Sequence, residues 1–199
     1  MAETKGYLTP DEQEKADRAT KVKKELIEYA KAILTAVVLA AIIMTFVAQS
    51  FYVDGMSMEP NYHHGERMIV DKISYRFSDP KRGDVIVFRY PLDTSQRFVK
   101  RVIGIPGDTI EIKSYEVYVN GVMLDEPYIY AKAHTDYGPM VVPEGTVFAM
   151  GDNRNNSNDS RSPSVGMISK KLIIGRGLFM YWPIGGIRIC QHYRDYPLE

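Results

Sequence analysis

Two residues with the chemistry of a nucleophile and a base stand out in the sequence. Ser57 lies in the segment GMSMEP (residues 55–60), where a glycine and a proline can hold the backbone close to a ligand. A serine hydroxyl is a weak nucleophile, so it needs a neighbouring base to activate it. By itself, the segment is more typical of a loop with an inert, solvated serine.

The base that the sequence offers is Lys100. In the segment FVKRV, strand alternation places Lys100 on one face with Phe98 and Val102, while Arg97 and Arg101 share the other face. Apolar neighbours remove water from the amine and disfavour its charged form, which moves the pKa from about 10.4 toward neutrality. A neutral amine can then act as a general base. The alternative is a lysine whose amine reaches solvent from the end of a strand.

Other catalytic chemistries have less support. The 4 histidines do not have the spacing of zinc ligands, and no His-Glu-x-x-His is present, which disfavours a zinc protease. A Ser-His-Asp triad stays open, although no Gly-x-Ser-x-Gly supports it. Residues 78–81 match Ser-x-x-Lys, but their proline opposes the helix on which that motif sits. We expect neither a metal ion nor a cofactor.

Composition excludes some classes of protein. Lys plus Arg and Asp plus Glu each number 25, so nothing indicates binding to nucleic acid. The single cysteine, Cys190, cannot form an intrachain disulfide, and no motif around it indicates a nucleophile. A mean hydropathy of −0.24 places most of the chain in water.

One apolar segment is long enough to cross a bilayer. Residues 32–51 carry no charge, and as a helix they would extend about 30 Å. Lysines before the segment orient the N-terminus to the cytoplasm. We therefore predict a cytoplasmic segment (residues 1–31), a transmembrane anchor (residues 32–51) and an extracytoplasmic domain (residues 52–199). The alternatives are a signal peptide cleaved near Ala48-Gln49-Ser50 and a buried core helix.

After Pro60 the pattern becomes that of strands. β-branched and aromatic runs alternate with turn residues, and Asn120-Gly121 is a strong hairpin signal. Residues 128–142 are predicted to form a loop. The fold class is therefore mostly β, a coiled sheet or barrel-like domain after one N-terminal helix. The predicted strands are residues 67–71, 84–90, 97–105, 109–113, 116–119, 146–150 and 172–175.

Four segments together resemble a known family. In order along the chain they are GMSMEP (55–60), RGDVIVF (82–88), KRVIGIPGD (100–108) and GDNRNNSNDSR (151–161). They resemble the extracytoplasmic motifs of the bacterial type I signal peptidases, in that family's order and after one anchor. The resemblance implies a membrane-bound serine protease in which Ser57 is the nucleophile and Lys100 the general base.

The last motif implies supporting residues. By position, Ser157 matches the hydroxyl that orients the lysine in the family. Asp152, Asp159 and Arg161 match residues that brace the site. From composition alone, these residues would be a solvated polar loop.

The resemblance also implies where the substrate binds. Gly55 occupies the position at which some relatives carry a serine that helps bind the oxyanion, so here the donor must be a backbone N–H, including that of Ser57. The family is specific for small residues at −1 and −3, counted back from the cleaved bond, and this specificity implies shallow apolar pockets. Val53, Met58 and Val99 are the candidates, with ordinary core packing as the alternative.

The partners implied are the signal peptides of exported preproteins and the lipid bilayer, without nucleic acid; the oligomeric state stays open. Two other classes of protein are alternatives. The self-cleaving repressors of the SOS response have a similar fold and dyad, but they carry a DNA-binding domain where this chain has an apolar segment. A non-catalytic, anchored β domain is the other, and loss of preprotein cleavage on changing Ser57 or Lys100 would exclude it.

Overall fold

The computed structural model describes residues 10–193. The chain divides into two compact units, Met1–Thr45 and Phe46–Glu199. Residues 1–9 of the predicted cytoplasmic segment and residues 194–199 of the predicted β domain lie outside the described residues.

The described part of the first unit, from residue 10 onward, is one long helix. Helix α1 spans Pro10–Ile42 and continues as a π-helical turn over Ile43–Val47. Within it, the 28 residues Thr20–Val47 contain an 18-residue window with a mean hydropathy of 2.3, and they are long enough to span a bilayer. The hydroxyl of Thr35 donates to the Lys31 carbonyl, and that of Thr45 to the Ala41 carbonyl, so these polar groups are satisfied within the helix.

The helix ends earlier than the apolar segment does. Residues 48–51 belong to strand β1 (Ala48–Tyr52), which pairs antiparallel with β2 (Arg67–Asp71). Phe51 is buried and Tyr52 exposed, as expected for a strand with one face on a core. The structure thus differs from the predicted boundary at residue 51, and a cut after Ser50 would fall inside a paired strand.

The second unit contains two antiparallel sheets. After β1 and β2, its strands are β3 (Val85–Tyr90), β4 (Asp93–Gly104), β5 (Thr109–Lys113), β6 (Glu116–Val119), β7 (Val122–Met123), β8 (Tyr137–Val141), β9 (Thr146–Met150), β10 (Ile168–Ser169), β11 (Ile173–Trp182) and β12 (Arg188–Ile189). The larger sheet has the order β1-β2-β11-β3-β4-β9-β10, with β12 paired to β11; the smaller has the order β7-β6-β5-β8. A short helix, α2 (Ser74–Phe77), follows β2, and 3₁₀ turns at Lys170–Leu172 and Ile184–Gly186 flank β11.

The mostly β fold class is confirmed, although several strands differ in detail from the predicted ones. The hairpin at Asn120-Gly121 forms as predicted, with φ of 53° and 80°. The loop predicted at residues 128–142 is wrong in part, because β8 pairs with β5 despite its glycine and proline. Strand β11 extends well beyond the predicted 172–175, because it pairs with β2, β3 and β12.

Three apolar clusters fill the second unit, and the first of them supports the Ser57 segment. It contains Met58 together with residues of β1, β2, β3 and β11, among them Met68, which is fully buried. The other two clusters lie against the smaller sheet and between β3, β4 and β9.

We expect Met68→Ala to lower the free energy of unfolding by about 2–5 kcal/mol, because it removes a buried side chain and leaves a cavity. The matched control is Met140→Ala, since Met140 is 49% exposed, and we expect it to stay within about 0.5 kcal/mol. Denaturant unfolding of the full chain in detergent measures both. Equal losses for the two variants would contradict the assignment of the core.

Candidate active site

Ser57 lies in a loop that is closed at both ends by backbone hydrogen bonds. Val53 N–H donates to the Glu66 carbonyl at 2.9 Å, and Gly65 N–H donates to the Val53 carbonyl at 3.0 Å. Inside the loop, Tyr62 N–H donates to the Met58 carbonyl at 3.0 Å, and the Met58 side chain is buried in the first core cluster. The loop is therefore anchored directly after the serine.

A second loop holds the backbone of Ser57 from the other side. Asn153 donates its N–H to the Ser57 carbonyl at 3.0 Å, and its side-chain amide donates to the Met56 carbonyl at 3.1 Å. Gly151 lies so close that a Cβ there would overlap the Ser57 carbonyl oxygen and the Ser157 hydroxyl. These contacts fix the serine relative to the end of β9.

The structure brings Ser57 and Lys100 into direct contact. Strand β4 carries Lys100, and its pairing with β3 places Lys100 opposite Ile86. Lys100 Nζ lies 2.7 Å from Ser57 Oγ and 2.9 Å from the Val99 carbonyl oxygen. Lys100 is only 3% exposed, and its Nζ lies 5.3 Å from the centroid of the Phe98 ring.

Burial changes the basicity of this amine. Desolvation lowers the pKa of Lys100 from 10.5 to about 8, although the charges of Asp159 and Asp152 act in the opposite direction. The positive charge of Arg161 also lowers it. Near neutral pH, Lys100 therefore has an appreciable neutral fraction that a solvated lysine lacks.

Each of the two carboxylates near Lys100 is paired with an arginine. Asp152 receives two hydrogen bonds from Arg101, at 2.8 and 2.7 Å, and both residues are fully buried. Asp159 receives bonds from Arg161, at 2.8 and 2.7 Å, and from Gly151 N–H at 3.0 Å. Burial raises the pKa of Asp159, but the bonds and charge of Arg161 outweigh it, so the net shift is downward. Both carboxylates are thus held as charged partners of guanidinium groups.

Ser157 is close to these groups but does not contact the lysine in the expected way. Its hydroxyl is buried and forms no hydrogen bond of good geometry with any of residues 10–193, although it contributes to the lowered pKa of Asp159. Lys100 donates instead to Ser57 and to the Val99 carbonyl. Orientation of Lys100 by Ser157 stays a prediction.

A cleft of about 260 Å³ opens at the serine and the lysine. Val53, Met58 and Val99 all line it, and all three also belong to or pack on the first core cluster. The two interpretations from sequence, pocket wall and core residue, are therefore compatible. Asn156 and Asn158 contribute polar groups to the same cleft.

The peptide before the serine has an open donor. Ser57 N–H donates no hydrogen bond within the described part of the chain. Gly55, with φ of 99°, donates its N–H to His64 Nδ1 at 3.2 Å, and this bond tethers His64 to the loop. A role for the Ser57 N–H in binding the oxyanion stays a prediction.

Comparison with known proteins identifies the family. The family described as "Signal peptidase, peptidase S26" matches residues 26–182. The chain belongs to this signal peptidase family. Membership makes it a peptidase, and it confirms the family that the four motifs indicate.

Several named relatives belong to the same family. A Synechocystis protein named "Probable signal peptidase I-2" is 42% identical, over 84% of this chain and 81% of its own. "Signal peptidase I" of Bacillus licheniformis is 40% identical, over 86% and 97%. "Signal peptidase I S" of Bacillus subtilis is 40% identical, over 83% and 94%. The crystal structure of a signal peptidase I from Enterococcus faecalis shares 33% identity, over 50% of this chain and 97% of that one, with a TM-score of 0.44.

Some residues that organise the site of this signal peptidase were not singled out by the sequence. Asn61 donates to Asp152 and to the Tyr128 carbonyl, both at 2.7 Å, and thereby joins the serine loop to the Arg101–Asp152 pair. Arg101 and Asn153 lie inside quoted motifs, but only as neighbours of Lys100 and Asp152. The sequence signal available for Arg101 and Asn153 was their position next to predicted site residues. An arginine or an asparagine does not by itself indicate a buried side chain.

We expect Gly151→Ala to reduce peptidase activity by about a hundredfold, because the added methyl displaces the Ser57 carbonyl, and a displacement of about 1 Å has that effect. The matched control is Gly185→Ala, since a Cβ at Gly185 meets no atom within 4 Å. Hydrolysis of a peptide substrate by equal amounts of folded enzyme measures both. Full activity of Gly151→Ala would contradict the close packing of the two loops.

Proposed function

We propose that this chain is a membrane-anchored serine endopeptidase with a Ser57–Lys100 dyad, which removes N-terminal signal peptides from exported preproteins. The observation that carries the proposal is the 2.7 Å contact between Ser57 Oγ and a desolvated Lys100 Nζ. Family membership supports the reaction class, and the geometry supports the roles of the two residues.

Acylation begins with proton transfer inside the dyad. Neutral Lys100 accepts the Ser57 proton as Oγ attacks the scissile carbonyl. The contact with the Val99 carbonyl oxygen keeps the amine directed at the serine. The negative charge that develops on the substrate carbonyl oxygen is stabilised by backbone N–H groups, including that of Ser57.

The lysine then returns its proton. As the tetrahedral intermediate collapses, Lys100 protonates the leaving amine of the mature protein, and an ester forms between Ser57 and the signal peptide. Lys100, neutral again, takes a proton from a water molecule that attacks this ester. The signal peptide leaves with a free carboxylate, and Ser57 regains its proton.

The cleft supports selection of small residues at −1 and −3. Val53, Met58 and Val99 form apolar walls beside Ser57, and their packing in the core holds these walls in place. A small apolar side chain such as that of alanine can lie against these walls without displacing core residues.

Membrane anchoring suits this substrate. The apolar helix is consistent with a membrane anchor, and a signal peptide lies in the same bilayer, so confinement to one surface raises the effective concentration of both. Lys21, Lys23, Lys24 and Lys31 near the start of the apolar segment favour a cytoplasmic N-terminus and an extracytoplasmic catalytic domain.

We expect Ser57→Ala and Lys100→Ala each to reduce preprotein cleavage by about four to six orders of magnitude, since each removes one half of a unit that acts together. Ser95→Ala and Lys113→Ala are matched controls on exposed positions and should cleave at the rate of the unmodified chain. Release of mature protein from a preprotein in detergent measures all four. Retained cleavage by Ser57→Ala or by Lys100→Ala would overturn the dyad.

The pH dependence follows from the lowered pKa of Lys100. Because only the neutral amine accepts a proton, we expect kcat/KM to fall about tenfold per pH unit below pH 8 and to level off above it. The measurement is kcat/KM from pH 6 to 10, with circular dichroism to verify folding at each pH. If kcat/KM instead keeps rising about tenfold per pH unit up to pH 10, the base has the pKa of an ordinary lysine, near 10.5, and Lys100 is solvated in the working enzyme.

A further inference from the structure

The last described residues return to the catalytic unit and attach to it at several points. We call residues 190–193 the C-terminal strap. Cys190 N–H donates to the Leu178 carbonyl of β11 at 2.8 Å. His192 lies between two strands: its Nδ1 accepts from Val85 N–H of β3 at 3.3 Å, and its Nε2 lies 3.0 Å from the Gly177 carbonyl oxygen of β11. The strap is thus fixed to the larger sheet.

The strap covers the Arg101 guanidinium. Arg101 Nη1 donates to the Gln191 carbonyl at 2.7 Å, and the guanidinium carbon lies 5.2 Å from the centroid of the Tyr193 ring. Tyr128 lies 4.3 Å from the same carbon, and the two tyrosine rings contact each other with centroids 4.9 Å apart. Strap and Tyr128 together leave Arg101 with no exposed surface.

A glycine in the RGDVIVF motif allows the strap to approach this closely. Gly83 has φ of 81°, and a Cβ there would overlap the carbonyl oxygen of Tyr193. The Gly83 carbonyl itself accepts from Arg101 Nη1 at 3.1 Å. The backbone at Gly83 is therefore in contact with both the strap and the arginine that the strap covers.

Arg101 connects the strap to the dyad. It follows Lys100 on β4, and it holds Asp152, the residue before the Asn153 that binds the Ser57 backbone. A fully buried ion pair keeps its geometry only while water is excluded and its other hydrogen bonds are satisfied. The Gln191 carbonyl and the Tyr193 ring supply both conditions.

We propose that the C-terminal strap is a positioning element of the active site, and that Tyr193 is its positioning residue. Because the strap excludes water from the Arg101–Asp152 pair, it keeps Lys100 and Asn153 aligned with Ser57. Neither Tyr193 nor Gln191 touches the cleft, so the effect is on alignment and not on substrate contact. This inference rests on the proposed dyad function.

Opening the strap has a predictable electrostatic consequence. The charged groups that face Lys100 are Asp159, Asp152 and Arg161. When water reaches Arg101, the guanidinium neutralises the Asp152 carboxylate less completely. The remaining negative charge on Asp152 then favours the charged form of Lys100. Hydration of the Lys100 amine also favours its charged form. The pH below which kcat/KM falls, here called the acid limb, must therefore move to a higher value.

The experiment compares substitutions in the full chain. We expect Tyr193→Ala to lower kcat about ten- to a hundredfold with little change in KM, since misplacement by about 1 Å has an effect of that size. We also expect the acid limb of kcat/KM in Tyr193→Ala to lie about 0.5–1 pH unit higher than in the unmodified chain. Tyr193→Phe retains the ring and should restore both quantities. Tyr115→Ala is the matched control, because Tyr115 is 57% exposed.

A second pair of variants tests the strap from the opposite side. Gly83→Ala should displace the Tyr193 carbonyl and reproduce the same fall in kcat and shift of the limb. Gly121→Ala is its matched control, since Gly121 has nearly the same φ, 80° against 81°, but a Cβ there meets no atom within 4 Å. Backbone strain alone would affect both glycines equally.

The outcomes separate the two proposals. The role of the strap is overturned if the acid limb of kcat/KM stays at the same pH in Tyr193→Ala and Gly83→Ala. It is also overturned if Tyr193→Phe loses activity. Neither result affects the dyad. Because the position of the limb does not depend on how much enzyme is folded, partial misfolding of a variant does not hide the result. Cleavage that survives Ser57→Ala overturns the dyad itself.

Discussion

Desolvation of one amine is the constraint on which the site depends. In the proposed mechanism, Lys100 can serve as a base near neutral pH only because burial disfavours its charged form, and two carboxylates close by oppose that effect. Each carboxylate is paired with a guanidinium: Asp152 with Arg101 and Asp159 with Arg161. The pairs confine the negative charge, so the lowered pKa of Lys100 survives beside two acidic residues. The arginines thus support the chemistry although neither needs to touch the substrate.

The fold brings these groups together by pairing distant strands. Strand β4 lies between β3 and β9, so Lys100 and Arg101 are adjacent to the loop that begins after β9. That loop holds the Ser57 backbone through Asn153, while Met58 anchors the serine loop in the first core cluster. Ser57 therefore belongs to a loop and Lys100 to a strand, and rigid strands and a buried polar network determine the separation of their side chains.

Local pattern predicted part of this arrangement. Strand alternation around Lys100 predicted apolar surroundings, and the turn residues predicted most of the strands. Contact between Ser57 and Lys100 followed only from the family resemblance, because no local rule joins residues so far apart in the chain. Arg101 was expected only to share a strand face with Arg97, yet it is fully buried: its partners Asp152, Gln191 and Tyr193 come from distant segments. The start of β1 was hidden because apolar residues of an anchor and of an edge strand look alike.

The central claim is that burial lowers the pKa of Lys100 enough to leave an appreciable fraction of neutral amine near neutral pH. An NMR titration of the Lys100 side chain in the full-length, detergent-solubilised chain, assigned by comparison with Lys100→Met, tests it directly. The account predicts a midpoint near the value of about 8 that burial produces. A midpoint near 10.5, with Lys100 fully charged at neutral pH, would contradict it.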